Sequence, residues 1–130
     1  MNQRILVVED NPANRELLCD WLEAESFQVL TAENLEQSFA AFATQPPQVV
    51  LLDIQLGSED GLSLAKWIRR EPRLRHIPVI AVTAHAMLTD QERVMQAGCD
   101  ACISKPIDFK LLAAELERWL GSSAKLPSST

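Results

Sequence analysis

Short apolar runs divide the chain and predict buried strands. Each run is rich in β-branched residues, is shorter than a typical helix and contains few polar positions. Strands of this kind are buried on both faces, as in a parallel sheet. The predicted strands are Ile5–Val8, Phe27–Leu30, Val49–Leu52, Val79–Val82 and Ala101–Ile103.

Between these runs, apolar residues recur at every third or fourth position and predict helices. The first helix follows Asn11–Pro12, a capping residue and a proline that starts helices well. Glycine or proline follows the other stretches, as expected beyond helix ends. The four further predicted helices contain Leu35–Ala43, Leu64–Ile68, Met87–Met95 and Leu112–Trp119.

The alternation of strands and helices predicts the fold class. Buried strands that alternate with helices form a parallel sheet covered on both sides. Right-handed crossovers then give an α/β fold, a doubly wound five-stranded parallel sheet in a flavodoxin-like (βα)5 three-layer sandwich. We expect one domain over residues 1–121 and a flexible C-terminal tail over 122–130, which is rich in serine.

The charge and composition of the chain argue against nucleic-acid and membrane partners. The chain carries a net charge of −6, which argues against nucleic acid as a partner because phosphate contacts need a basic face. No apolar run reaches the length of a membrane span, and the first residues lack the pattern of a signal peptide. We therefore expect a cytoplasmic protein without a membrane partner. Cys99 and Cys102 have C-x-x-C spacing, but no second pair or nearby histidine completes a zinc site. Cys19, Cys99 and Cys102 are therefore predicted to be free thiols.

Side chains with reactive groups follow four of the predicted strands. Glu9 and Asp10 follow the first strand, Asp53 the third, Thr83 the fourth and Lys105 the fifth. The carboxyl ends of parallel strands meet at one edge of the sheet, so we expect these groups to share a cleft. Neighbouring carboxylates repel one another, and a hard cation such as Mg²⁺ relieves that repulsion. Asp53 is then a candidate nucleophile for phosphoryl transfer, with Lys105 facing the phosphoryl oxygens.

These residues and their neighbours resemble the receiver domain of response regulators. Each residue alone has an ordinary explanation, such as a cap, a turn or a surface charge, but together they match the family's pattern. The resemblance covers nearly the whole chain. It is carried by Ile5–Asn11, Leu51–Ile54, Asp60–Gly61, Ile77–Ala84, Gly98–Asp100 and Ser104–Pro106.

The resemblance implies a phosphorylatable switch of a two-component phosphorelay. Asp53 would be the phosphoacceptor, and Lys105 would pair with it and with its phosphoryl group. Glu9, Asp10 and Asp53 would hold Mg²⁺ together with the backbone carbonyl of Gln55, with Mn²⁺ able to substitute. The donor would be a histidine kinase or a histidine phosphotransfer protein, and the output would be contact with a downstream protein target. Such a switch is not an enzyme for other substrates, because it catalyses only its own phosphorylation and dephosphorylation.

The resemblance also implies roles for residues that border this site. Thr83 would be the switch hydroxyl that moves toward a phosphoryl oxygen, and Pro106 would follow a cis peptide bond. Gln55 and His85 would flank the attacking water and set the lifetime of the phosphoryl group. Cys102 stands at the switch position where the family usually has tyrosine or phenylalanine, and the chain contains no tyrosine. The usual coupling of the threonine to the output face is therefore in question.

Two further departures affect the loop after the phosphoacceptor. Gly57 stands where proline is common, and Glu59 where methionine is common. Because glycine costs more entropy to order, we expect these changes to loosen the loop.

Three other classes of protein remain as alternatives. A haloacid-type phosphohydrolase also uses an aspartyl nucleophile, but it needs a second aspartate where this chain has Gln55. A flavodoxin-like flavin binder needs small and hydroxyl residues where this chain has Glu9–Asp10, which repel a phosphate. A pseudo-receiver that works without phosphorylation is disfavoured because the acidic set and Lys105 are all present.

Overall fold

A computed structural model of the chain describes residues 3–84 and 88–120. The predicted tail, 122–130, and His85 lie outside the described residues. Within them, the five predicted strands alternate with five helices, as expected. The strands are β1 (Arg4–Val8), β2 (Gln28–Ala32), β3 (Val49–Asp53), β4 (Gln55–Leu56), β5 (Glu59–Asp60), β6 (Val79–Thr83) and β7 (Ala101–Ser104). The helices are α1 (Pro12–Ala24), α2 (Leu35–Thr44), α3 (Leu62–Arg70), α4 (Leu88–Gln96) and α5 (Phe109–Leu120).

Five strands form one parallel sheet in the order β2-β1-β3-β6-β7. The central strands β3 and β6 are buried at every position, as their unbroken apolar runs predict. Residues that alternate along β1 belong to two hydrophobic clusters: Leu6 and Val8 pack with α2, α3 and α4, whereas Ile5 and Val7 pack with α1 and α5. The predicted doubly wound α/β fold is therefore confirmed.

Two details differ from the pattern-based prediction. The second strand covers Gln28–Ala32 instead of 27–30, because its length follows from pairing with Arg4–Val8 and continues through the exposed Thr31. A short antiparallel hairpin, β4–β5, was not predicted. Gly57, the first of its two turn residues, has a φ of +61°, which suits the first central position of a type II′ turn.

Side-chain caps begin the first two helices. The Asn11 side chain accepts a hydrogen bond from the Asn14 N–H, and Asn34 does the same for the Gln37 N–H. Asn11 and the following proline therefore begin α1, as predicted. All three cysteines are thiols outside disulfide bonds, and burial raises the pKa of Cys99 to about 12.

Arg69, in the last turn of α3, joins three segments at the amino edge of the sheet. Its guanidinium donates to the carbonyl oxygens of Gly98 at 2.7 Å and Ile77 at 2.8 Å, and it forms a salt bridge with Asp100. Gly98 has a φ of +107°, and a Cβ there would lie 2.5 Å from Cγ of Arg69. Arg69 therefore fastens α3 to the turns that precede β6 and β7.

Replacing Arg69 with methionine is expected to destabilise the fold. The buried part of the side chain is kept, but several charge-assisted hydrogen bonds are lost, so the free energy of unfolding should fall by about 2–4 kcal/mol. Urea denaturation measures this change. The control is Arg70→Met, an exposed neighbour that should change stability by less than about 0.5 kcal/mol. Equal effects of the two substitutions would contradict the assigned role.

Candidate functional site

Three carboxylates meet where β1 and β3 end. Glu9 and Asp10 directly follow β1, and Asp53 is the last residue of β3, the neighbouring strand. One oxygen from each carboxylate lies within 4.8 Å of the others. Glu9 and Asp53 are buried, whereas Asp10 is exposed. The sheet order thus brings together the acidic residues that the sequence placed at separate strand ends.

The environment of Glu9 disfavours its ionised form. Burial is the largest cause, followed by a hydrogen bond with Asp53, and the net effect of the surroundings raises the pKa of Glu9 to about 7. The backbone N–H of Asn11, 3.1 Å from the carboxylate, and the charge of Lys105 act in the opposite direction. Three close carboxylates carry more negative charge than Lys105 alone balances, and such a cluster fits a hard divalent cation, which prefers oxygen ligands.

Lys105 lies between the two buried carboxylates. Its Nζ is 2.8 Å from Oδ2 of Asp53 and 3.3 Å from Oε1 of Glu9. Burial alone would lower its pKa, but the hydrogen bonds and charges of Asp53 and Glu9 outweigh that cause, so the pKa of Lys105 is raised. The Lys105–Pro106 peptide bond is cis, and the Lys105 N–H donates to the Thr83 carbonyl at 2.8 Å.

The other predicted site residues within the described part of the chain differ in their exposure to solvent. Thr83 ends β6, is 1% exposed, and follows Val82, the residue that pairs with Asp53. Gln55 is exposed, and its backbone N–H donates to Oδ1 of Asp53 at 3.0 Å. Cys102 is half-buried in β7, where it packs against the cluster covered by α2, α3 and α4.

The loop after Asp53 contains a close approach that the sequence motifs do not indicate. The Gly61 N–H donates to the Ile54 carbonyl at 2.9 Å, and a Cβ on Gly61 would lie 2.4 Å from the Asp53 carbonyl oxygen. No side chain fits at this position without moving the backbone of Asp53 and Ile54. The sequence signals were a glycine before a helix, which is common at many helix starts, and the Asp60–Gly61 pair of the family pattern. Neither signal specifies a close approach of two backbone segments.

An apolar groove adjoins the site. It has a volume of about 390 Å³ and lies between α1 and the segment that joins β7 to α5. Leu17 is 57% exposed at one wall, and Ile107 and Phe109 form the other. Glu9 and Lys105 also line the groove, so it opens directly onto the acidic cluster.

No helix in the described part of the chain is long and apolar enough to cross a membrane.

Comparison with known proteins agrees with this geometry. The response regulator receiver domain family matches residues 5–117, and the chain belongs to that family. It is therefore a receiver domain of two-component signalling. The phosphohydrolase and pseudo-receiver alternatives are not favoured.

Several relatives share most of the chain. The polar-differentiation response regulator DivK of Brucella anthropi is 39% identical over 123 residues, which cover 95% of this chain and 100% of that protein. DivK of Brucella ovis is 38% identical over the same length. Receiver domains of this kind are signalling switches that interact with histidine kinases or phosphotransfer proteins and with downstream targets.

Solved receiver structures have the same fold. The receiver domain of sensor histidine kinase PA1611 from Pseudomonas aeruginosa is 33% identical, has a TM-score of 0.84, and covers 93% of this chain and 99% of that one. That structure contains a magnesium ion in its active site cleft. The receiver domain of a signal transduction histidine kinase from Syntrophus aciditrophicus is 30% identical, with a TM-score of 0.85 and coverage of 98% and 97%.

Proposed function

We propose that Asp53 accepts a phosphoryl group from a phosphohistidine of a kinase or phosphotransfer protein. A carboxylate oxygen of Asp53 attacks phosphorus, the new O–P bond forms as the donor's P–N bond breaks, and the released imidazole takes up a proton. The observation that carries this proposal is the 2.8 Å contact between Lys105 Nζ and Asp53 within the acidic cluster. Lys105 is placed to stabilise the charge on the phosphoryl oxygens.

Mg²⁺ is the cofactor that the donor set supports. Glu9, Asp10 and Asp53 would hold it with their carboxylates, and the backbone carbonyl of Gln55 would complete the protein ligands. When bound, Mg²⁺ neutralises carboxylate and phosphoryl charge. Mn²⁺ also suits carboxylate and carbonyl ligands and is expected to substitute. Transfer from a phosphorylated histidine phosphotransfer protein tests the proposal, because uptake should require the metal and stop when a chelator removes it.

Replacing Lys105 with methionine is expected to separate metal binding from transfer. The Lys105 ammonium group contacts two of the carboxylates that would bind the cation, and the two positive charges repel each other. Removal of the ammonium group should therefore tighten Mg²⁺ binding severalfold. Phosphoryl uptake should slow by roughly 100-fold because the charge opposite the phosphoryl oxygens is lost. Calorimetry and a labelling time course measure the two effects. The exposed Lys110→Met is the control, and an equal change in that variant would contradict the role of Lys105.

The switch follows from movement at the strand ends. Thr83 and Lys105 would be drawn to the phosphoryl group of Asp53, and the loops after β6 and β7 would rearrange as the population shifts. Cys102 is much smaller than the aromatic residue usual in the family. We infer that in this chain the effect of phosphorylation reaches the surface through the loop after β6 and through α4, and not through an aromatic ring that turns inward.

Gln55 and His85 are proposed to set the lifetime of the phosphoryl group. The exposed Gln55 lies two residues after Asp53, and His85 is assigned from the sequence alone. Replacing both residues with alanine should change the dephosphorylation rate, measured after removal of the donor. An unchanged rate would count against their role.

The groove beside the site is the proposed entry for the donor. A phosphohistidine must reach Asp53, and the groove lined by Leu17, Ile107 and Phe109 ends at Glu9 and Lys105. Its apolar walls suit a helix of the donor protein. The net charge of −6 disfavours nucleic acid as a partner, and the free thiols favour the reducing cytoplasm as the location.

A further inference from the structure

Positive charge is concentrated in one segment of this acidic chain. Residues 66–76 contain five of the twelve lysines and arginines and a single acid, Glu71. The segment carries a charge of +4 while the whole chain carries −6, so the remaining residues carry −10. Arg69 is engaged in the contacts at the amino edge of the sheet. The exposed members of this group are called the basic patch: Lys66, Arg70, Arg73 and Arg75.

Within residues 3–84 and 88–120, the basic patch has no acidic partner. None of its four side chains forms an ion pair with any side chain that the structure describes, although the chain contains eighteen aspartates and glutamates. Arg70 lies in the last turn of α3, where a cation interacts favourably with the helix dipole. Arg73 and Arg75 lie beyond the helix and lack that explanation. Clustered like charges repel one another, so folding stability does not account for the arrangement.

The backbone that carries the patch is held in place. The Glu71 carbonyl accepts hydrogen bonds from the N–H groups of Leu74 and Arg75 at 2.9 Å. Arg69 donates to the carbonyl of Arg75 at 3.0 Å and fixes the end of the same turn. An ordered backbone presents the guanidinium groups at low entropic cost to a partner.

We propose that the basic patch binds an acidic segment of a partner protein, a run of aspartates and glutamates. Arginine guanidinium groups pair with carboxylates in a bidentate geometry that lysine cannot reproduce. The patch lies at the amino edge of the sheet, opposite Asp53, so binding occurs in both phosphorylation states. This site goes beyond the phosphoryl switch and does not depend on it.

Other polyanions fit the patch less well. A nucleic acid would extend past the segment onto a molecule whose remaining charge is −10. A lipid surface is bound by basic groups together with apolar side chains that enter it. The large exposed apolar side chains in the described residues are Leu17, Phe39, Met95 and Leu111, all outside the segment.

Titration of the full chain with a short labelled peptide of Glu and Asp residues tests the proposal. Fluorescence anisotropy gives the affinity, and amide chemical shifts locate the contact. The double variant Arg70→Gln/Arg73→Gln should weaken binding at least about tenfold. The matched control, Lys110→Gln/Arg118→Gln, removes the same charge from exposed positions of α5 and should leave the affinity within about twofold.

The expected result is binding that shifts amides of residues 66–76, weakens with salt, and is the same with and without a phosphoryl group on Asp53. Equal losses in the two double variants would overturn the proposal. Shift changes confined to other parts of the molecule would overturn it as well. Tighter binding to phosphatidylserine vesicles or to duplex DNA than to the acidic peptide would reject a protein segment as the occupant.

Discussion

Replacing Asp53 with asparagine is expected to abolish phosphoryl uptake from acetyl phosphate. The amide keeps the size of the carboxylate and accepts the hydrogen bond from the Gln55 N–H, but it is not a nucleophile for phosphorus. It also removes one of three charges from the acidic cluster, so Mg²⁺ binding should weaken. Intact-protein mass spectrometry measures uptake, and circular dichroism should show an unchanged fold.

Asp60→Asn is the control for this substitution. Asp60 is exposed in the β4–β5 hairpin that follows Asp53, and its carboxylate accepts from the Leu62 N–H, a contact that asparagine retains. The control should take up phosphoryl groups as the unmodified chain does. Continued uptake by the Asp53 variant, or loss in the control alone, would show that another residue is the acceptor.

Replacing Gly61 with alanine is expected to damage both stability and the site. The new Cβ would meet the Asp53 carbonyl oxygen at 2.4 Å and Cα of Ile54 at 2.9 Å, and both are backbone atoms that side-chain rotation cannot move. The chain must therefore shift where it carries Asp53, the proposed acceptor, and the Gln55 carbonyl, a proposed metal ligand. Overpacking of this kind costs about 1–3 kcal/mol of unfolding free energy.

Urea denaturation and Mg²⁺ titration measure the two consequences in the Gly61 variant. The metal should bind at least severalfold more weakly, because displaced ligands no longer fit it. Ser63→Ala, an exposed change in the first turn of α3, should alter stability by less than about 0.5 kcal/mol. A Gly61→Ala protein with normal stability and normal metal affinity would contradict the close approach.

The fold was predictable where burial is complete. β3 and β6 are buried on both faces, so their apolar runs are unbroken and their bounds could be read closely. β2 lies at the edge of the sheet and contains the exposed Thr31, so pairing with β1 decided its end. The β4–β5 hairpin has strands of two residues, too short to show a period.

The hydrophobic pattern indicates local structure, but it does not show contacts between residues that are far apart in the chain. The sequence shows Arg69 as one more cation at a helix end, but its side chain reaches Gly98 and Asp100, about thirty positions away in the chain. The strand ends predicted that Glu9, Asp53 and Lys105 would meet. They did not predict that Glu9 is buried while its neighbour Asp10 is exposed, because the turn after β1 decides which carboxylate points inward.

Mapping the modified residue in the unaltered chain is the most direct test of the central claim. The protein is incubated with acetyl phosphate and Mg²⁺, reduced with borohydride to convert an aspartyl phosphate to homoserine, and sequenced as peptides by mass spectrometry. We predict homoserine at position 53 with Mg²⁺ and none when a chelator is present. Modification at a different residue, or an unmodified Asp53 despite bound metal, would contradict phosphoryl transfer to this site.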